Sequence, residues 1–206
     1  MRYKYLILCC ILFLGLAREG VAQQFQRKPY ESAKEFVERI KPNGSDLNCE
    51  VLETPYWNNK TVVIAWYILD ANSSIPNHEV VGYVYVPVAA EGKYQQVFID
   101  SYQDDNVETK IASVFFANAD RDAAREMLVI STCEHRLQYL YEGTEFTTWV
   151  YDDIDFNKPP AKLKGLDKIS DQLSGGLNGY SDAQGKVKAK LTNAAAVRKE
   201  LRKLGY

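Results

Sequence analysis

Between Val51 and Tyr151 the chain alternates apolar and polar positions with the two-residue period of a sheet. Val51 onward, Thr61 to Leu69, Glu79 to Val88, Gln96 to Ser101, Lys110 to Ala117, Met127 to Cys133, Leu137 to Tyr141 and Glu145 to Tyr151 each read as a strand, about eight in all. The connections, among them Trp57-Asn58-Asn59, Asp70 to Asn77, Ala89 to Lys93 and Glu142-Gly143-Thr144, are short and polar. They favour antiparallel neighbours over helical crossovers. The run from Val62 to Leu69 is apolar at odd and even positions alike, which predicts a central strand covered on both faces.

The period lengthens at the two ends. Ser32-Ala33-Lys34-Glu35 has the spacing of a capping box, Phe36, Val37 and Ile40 form one stripe, and Lys41-Pro42-Asn43-Gly44 ends the run. Asn193 caps a second helix in which Val197, Leu201 and Leu204 share a face opposite Arg198, Lys199, Arg202 and Lys203, with Gly205 at its end. The expected fold is α+β: a mainly antiparallel meander of about eight strands, strongly twisted or half closed, with an N-terminal and a C-terminal helix. Residues 23–155 make the helix and β domain. Residues 156–206, looser and richer in Gly and Pro, make an extension that ends in the basic amphipathic helix and docks on the same domain. Two accounts fit that basic face: a solvated surface over a docked helix, or a contact for an anionic surface or partner.

Residues 1–22 have a different texture. Arg2 and Lys4 precede an apolar run from Leu6 to Leu16, and Gly20-Val21-Ala22 stands before Gln23-Gln24, the pattern of a signal peptide cleaved after Ala22. The run is about half the ~20 residues needed to span hydrocarbon, so no stable membrane anchor is expected. The protein is expected to be exported, periplasmic or extracellular. Cleavage takes the formal charge from −2 to −4, which argues against nucleic acid as the partner, because phosphate binding wants a basic surface. Only Cys49 and Cys133 remain. In an oxidising compartment they are candidates for one disulfide, and equally for two buried thiols.

Chemistry is concentrated in the segment between the strands Lys110 to Ala117 and Met127 to Cys133. There Asn118, Asp120, Asp122 and Glu126 place oxygen-bearing side chains at relative positions 1, 3, 5 and 9. Alternate positions on a tight loop converge, and Ca²⁺ takes several oxygens at short range, so these four are the candidate metal ligands. An EF-hand is excluded, since Ala123 stands where that loop needs Gly and Val129 where it needs Glu. The other account is a hairpin whose Asn and Asp side chains bond their own backbone.

With Met127-Leu128-Val129-Ile130 behind the loop and Tyr139 to Phe146 further on, including Gly143 and Phe146, the stretch Asn118 to Phe146 resembles one repeat of the FG-GAP and VCBS type. Those repeats, the blades of integrin-α-like propellers, carry D-x-D-x-D-G-x-x-D-L calcium loops. Asn118 and Ala123 depart from the first Asp and the turn Gly of that pattern, and a propeller needs several blades. The resemblance therefore implies a calcium-loop geometry, not a propeller.

Three i, i+2 aromatic pairs, Tyr83 with Tyr85, Tyr139 with Tyr141, and Trp149 with Tyr151, each share a strand face. Gathered together they would form an aromatic surface for stacking sugar or accepting polypeptide; alternatively they are a second buried face under the tail and terminal helix. Further acidic groups follow predicted strands, at Asp100, Asp104 and Asp105 and at Asp152, Asp153 and Asp155. If gathered at one sheet end they would bind a cation or act as paired carboxylates on a glycan. Cys133 and His135 fall on one strand face, the spacing of a thiolate–imidazole pair.

The chain has no H-E-x-x-H, G-x-S-x-G or phosphate-loop pattern. The expectation is thus an exported non-catalytic binding, inhibitor or accessory protein recognising a protein or glycan. The alternative is a carboxylate-dependent, calcium-assisted hydrolase acting on glycans.

Overall fold

The fold was analysed in a computed structural model, which describes residues 23–71, 79–88, 90–103, 107–137 and 140–206. Residues 1–22, with the expected signal peptide, and Asp104, Asp105 and Tyr139 lie outside the described residues. Along the chain run β1 (Gln24–Gln26), α1 (Ala33–Ile40), β2 (Asp46–Leu47), β3 (Leu52–Trp57), β4 (Lys60–Ile68), β5 (Val80–Pro87) and β6 (Lys93–Tyr102). They are followed by β7 (Thr109–Ala117), β8 (Glu126–Leu137), β9 (Tyr141–Tyr151), α2 (Asp167–Gln172), β10 (Gly176–Ser181), β11 (Gly185–Val187) and α3 (Ala194–Leu204).

The antiparallel meander and both terminal helices are present, and the strands divide between two sheets. The first sheet has the order β1-β6-β5-β4-β2, with β3 also paired to β4, and curls like half a barrel. The second has the order β11-β10-β9-β8-β7.

The division follows from strands that are apolar on both faces. In β4, Val62, Ile64 and Trp66 point one way and meet Met127, Val129 and Tyr151 of the second sheet. Val63, Ala65 and Tyr67 point the other way and pack with Phe36 and Val37 of α1. β8 repeats the scheme, with Met127 and Val129 inward and Leu128 and Ile130 outward against Val197 and Leu201 of α3 and Leu173 beyond α2. A sheet apolar on both sides has to be covered on both sides. Four layers result: α1, the first sheet, the second sheet, then α2 and α3.

The helix ends are as the sequence predicts. Ser32 and Glu35 form the full capping box of α1, Asn193 Oδ1 accepts from Ala196 N at 3.0 Å, and Gly205 closes α3 in a left-handed conformation with φ of 88°. Residues 156–206 belong to the domain, since β10 pairs with β9 along six registered positions and α3 packs on the outer face of the second sheet.

One lateral side of the sandwich is closed by residues 161–166. Phe98 N donates to Ala161 O at 3.0 Å and Leu163 N to Phe98 O at 2.8 Å, while Asp152 N donates to Lys164 O at 2.9 Å and Leu166 N to Val150 O at 2.8 Å. This strap is therefore stitched to β6 in one sheet and β9 in the other. Beside it the Tyr102 and Tyr151 hydroxyls bond to each other across the interface, Tyr151 donates to Asp100 at 3.2 Å, and burial holds both phenols protonated far into the alkaline range.

Gly82 lies opposite Trp66 in the β4–β5 ladder, and the indole covers it so closely that a Cβ there would sit 2.0 Å from a ring carbon. Trp66 is 1% exposed and has nowhere to turn. Gly82→Ala is expected to destabilise the fold by about 3 kcal/mol. Urea unfolding checks this through a lowered midpoint at unchanged slope.

Candidate metal centre

The loop between β7 and β8 is shaped largely by its own side chains. Asn118 Oδ1 accepts from Arg121 N at 3.2 Å, Asp120 Oδ1 from Asp122 N at 3.0 Å, and Asp122 Oδ1 from Ala124 N at 2.6 Å. Asn118 Nδ2 donates back to Asp122 O and to Ala124 O, and Arg121 takes a positive φ of 78°. From outside, the β3–β4 turn clamps the loop's end: Trp57 Nε1 donates to Arg125 O at 2.7 Å, and Asn58 Oδ1 accepts from Arg125 N at 2.9 Å.

Of the four candidate ligands, Asn118, Asp120 and Asp122 thus all hold backbone, and Asp122 is exposed. Asp120 and Glu126 converge, and they do so on a third carboxylate, Asp152. One oxygen of each of the three lies within 4.8 Å of the others. Asp152 arrives through strand register. β8 and β9 pair Met127 with Tyr151, so the ladder's next positions are Glu126 and Asp152. The sequence displays Asp152 only as part of a separate acidic group after a strand; its proximity to Glu126 is set by a pairing no local spacing reveals.

Glu126 is the unusual member. It is 0% exposed; Oε2 accepts from Ala119 N, while Oε1 is buried with no hydrogen-bond partner among the described residues. Burying a carboxylate oxygen without a partner is costly, and the group avoids part of that cost by holding its proton. Burial, reinforced by Asp120 and Asp122, pushes its carboxyl up to about 7, although the Ala119 amide pulls the other way. Asp153 is also raised, first by burial and then by Asp122, Asp152 and Asp120. Lys164 is a countercharge to the group: its Nζ lies 2.6 Å from Asp152 Oδ2, but its side chain is 74% exposed. The donor set is all oxygen and strongly negative. That suits a hard divalent cation, and calcium best, because its coordination tolerates irregular geometry.

The aromatic pairs do not assemble into one surface. Tyr83 and Tyr85 lie on the outer face of the first sheet under α1, where the Tyr85 hydroxyl shares a hydrogen bond with Tyr67 at 3.1 Å. They are covered by the N-terminal helix, not by the tail. Trp149 and Tyr151 belong to the core between the sheets. Tyr141 sits at the opposite end of β9 from Tyr151; its hydroxyl and His135 Nε2 both meet Glu145 Oε2, at 2.8 and 3.0 Å. Cys133 Sγ lies 3.3 Å from Thr109 Oγ1 at the mouth of a cleft of about 260 Å³ that Glu145 also lines. Cys49 and Cys133 form no disulfide with each other. Asp155 caps Asn157 N at 2.9 Å, and Asp100 pairs with Lys162 at 3.0 Å.

No family model matches this chain. Nor does a curated protein or a solved structure match it significantly.

Glu126 gives the metal-free protein a signed pH dependence. The unfolded chain releases this proton near pH 4.5 and the folded chain near 7, so the folded state binds more protons across that window and stability falls as pH rises through it. The loss is about 3 kcal/mol, complete by pH 8. Glu126→Gln should remove it. Urea melts of both proteins with chelator at pH 5 and pH 8 check this: the variant is expected to be the more stable at pH 8, with the difference vanishing towards pH 4.5.

Proposed function

We propose that this chain is an exported, non-catalytic binding protein whose β7–β8 loop is organised by a calcium ion held by Asp120, Glu126 and Asp152, and whose partner is a protein or glycan. The observation that carries the metal reading is the buried, unpartnered Oε1 of Glu126 beside two further carboxylates. A cation supplies the partner that oxygen lacks and offsets the repulsion among the three groups. The likeness of Asn118 to Phe146 to a calcium-loop repeat agrees with this, and the leader sequence supports export.

What favours binding over glycan hydrolysis is the burial of Glu126. A general acid has to reach the glycosidic oxygen, and a carboxyl with no exposed surface reaches none. Calcium here would act as a clamp between loop and sheet. It joins the loop, at Asp120, to the ends of β8 and β9, at Glu126 and Asp152.

Calcium at a hundredfold excess over its dissociation constant is expected to stabilise the protein by about 2.7 kcal/mol. For a domain of this size that is a rise of roughly 5–10 °C in melting temperature. Asp152→Asn and Glu126→Gln should abolish the rise, whereas Asp122→Asn should largely keep it. Lys164→Met, which removes the ammonium competing for Asp152, should tighten calcium binding by no more than a few-fold, because that ammonium is solvated. No stabilisation of the parent protein at millimolar calcium overturns the metal reading.

A further inference from the structure

The side of the sandwich opposite the strap is open. There the edge strands β3 and β7, one from each sheet, face each other, and α3 crosses the end of the gap. Two adjoining hollows of about 340 and 390 Å³ lie along it, sharing Phe116, Arg125 and Arg198. Leu52, Thr54 and Tyr56 form one wall, and Leu201, Arg202 and Tyr206 the far end.

The side-chain charge in this groove is all of one sign. Arg125, Arg198 and Arg202 line it, and Arg121 stacks on the Tyr206 ring at its end, 5.4 Å from the centroid. None of the four is ion-paired with a carboxylate among the described residues, although the protein as a whole is acidic. One is held at its backbone and one at its guanidinium. The Arg125 backbone is clamped by Trp57 and Asn58, and the Arg198 guanidinium lies over the Phe115 ring at 4.7 Å while donating to Phe116 O at 3.5 Å. Both line the two hollows. A fixed guanidinium fork with no carboxylate of its own matches a planar carboxylate brought by a ligand.

We infer that this groove binds a carboxylate-bearing oligosaccharide, a uronate-containing chain, through Arg125, Arg198 and Arg202, with a sugar face against Tyr56. An acidic peptide would ordinarily exploit such a place by adding a strand to an open edge, but β7 is engaged at the two ends of its edge, which leaves a short run between Ile111 and Phe116 for an added strand. Asn48 bonds Thr109 O and Ile111 N, each at 2.9 Å, and Arg198 takes Phe116 O. Recognition is left to side chains: forks for carboxylates, and the 69% exposed ring of Tyr56 for the apolar face of a sugar. This deepens the binding-protein reading by naming the ligand class; it does not require calcium.

The test is isothermal titration of residues 23–206 with a short oligoglucuronate at low salt, with a neutral glucan of equal length and a short polyglutamate as comparators, each with and without calcium. Expected is uronate binding that weakens as salt rises, no neutral-glucan binding, and a loss of tenfold or more in Arg125→Ala and Arg198→Ala. Arg198→Lys, which keeps the charge and the stem over Phe115, should also weaken binding while melting as the parent does, separating the fork from the fold. Three results overturn the inference: no uronate binding, uronate binding indifferent to these arginines, or polyglutamate bound as tightly. Uronate binding in a protein whose melting ignores calcium overturns the calcium reading and leaves this one standing. A calcium-dependent melt without uronate binding does the reverse.

Discussion

The register of β8 against β9 is the constraint on which the rest depends. These are the two longest strands, and they pair without interruption from Met127 with Tyr151 to Leu137 with Tyr141. A strand repeats every two residues, so a slip of one position would turn Met127 and Val129 out of the core between the sheets and bring Leu128 and Ile130 in. It would also break the alignment that sets Asp152 beside Glu126. Core and candidate site are therefore fixed by one pairing. The site's precision costs little beyond what packing already imposes, apart from the buried carboxyl itself.

The four-layer arrangement follows from how few strand positions are truly polar. β4 buries Val62 to Tyr67 without a break, and a strand of that kind requires a second sheet on one side and a helix on the other. This much was legible in the sequence, as were both helices and their caps, because local spacing encodes them. The partition into two sheets was not. It depends on where the chain passes from Tyr102 to Thr109, and a polar connection looks the same whether it turns back into its own sheet or crosses to another. The aromatic pairs show the same limit. Alternation correctly puts Tyr83 with Tyr85 and Trp149 with Tyr151 on shared faces, but which faces look at solvent is decided by α1 and by the opposing sheet.

For the site, the loop composition announced oxygen donors and the fold sorted them. Asn118, Asp120 and Asp122 all shape the backbone, as short polar side chains in tight turns commonly do. Asp120 and Glu126 kept their convergence, and the third carboxylate came from 26 residues beyond Glu126 through the hairpin. The backbone-bonding account thus describes Asn118, Asp120 and Asp122, while the metal account rests as a proposal on Asp120, Glu126 and Asp152. The arginine groove was legible only as the basic face of α3. Its other contributors, Arg121 and Arg125, sit among the acidic residues of the loop and cancel them in any local count of charge.

That cancellation in sequence becomes separation in space. Along 118–126 the carboxylates of Asp120 and Glu126 turn toward β9 and Asp152, while Arg125 turns toward β3 and α3 and Arg121 toward the end of α3. Opposite charges held apart across one short loop cannot neutralise each other, so each set is left to find its countercharge elsewhere. On one side Lys164 supplies a solvated, partial answer that leaves Glu126 Oε1 unpartnered; on the other no carboxylate among the described residues answers at all. The clamp of Trp57 and Asn58 fixes the Arg125 backbone at the point where the two sets diverge. Under the proposed reading each set takes its countercharge from outside the chain, a cation beside Asp120 and a carboxylate beside the arginines.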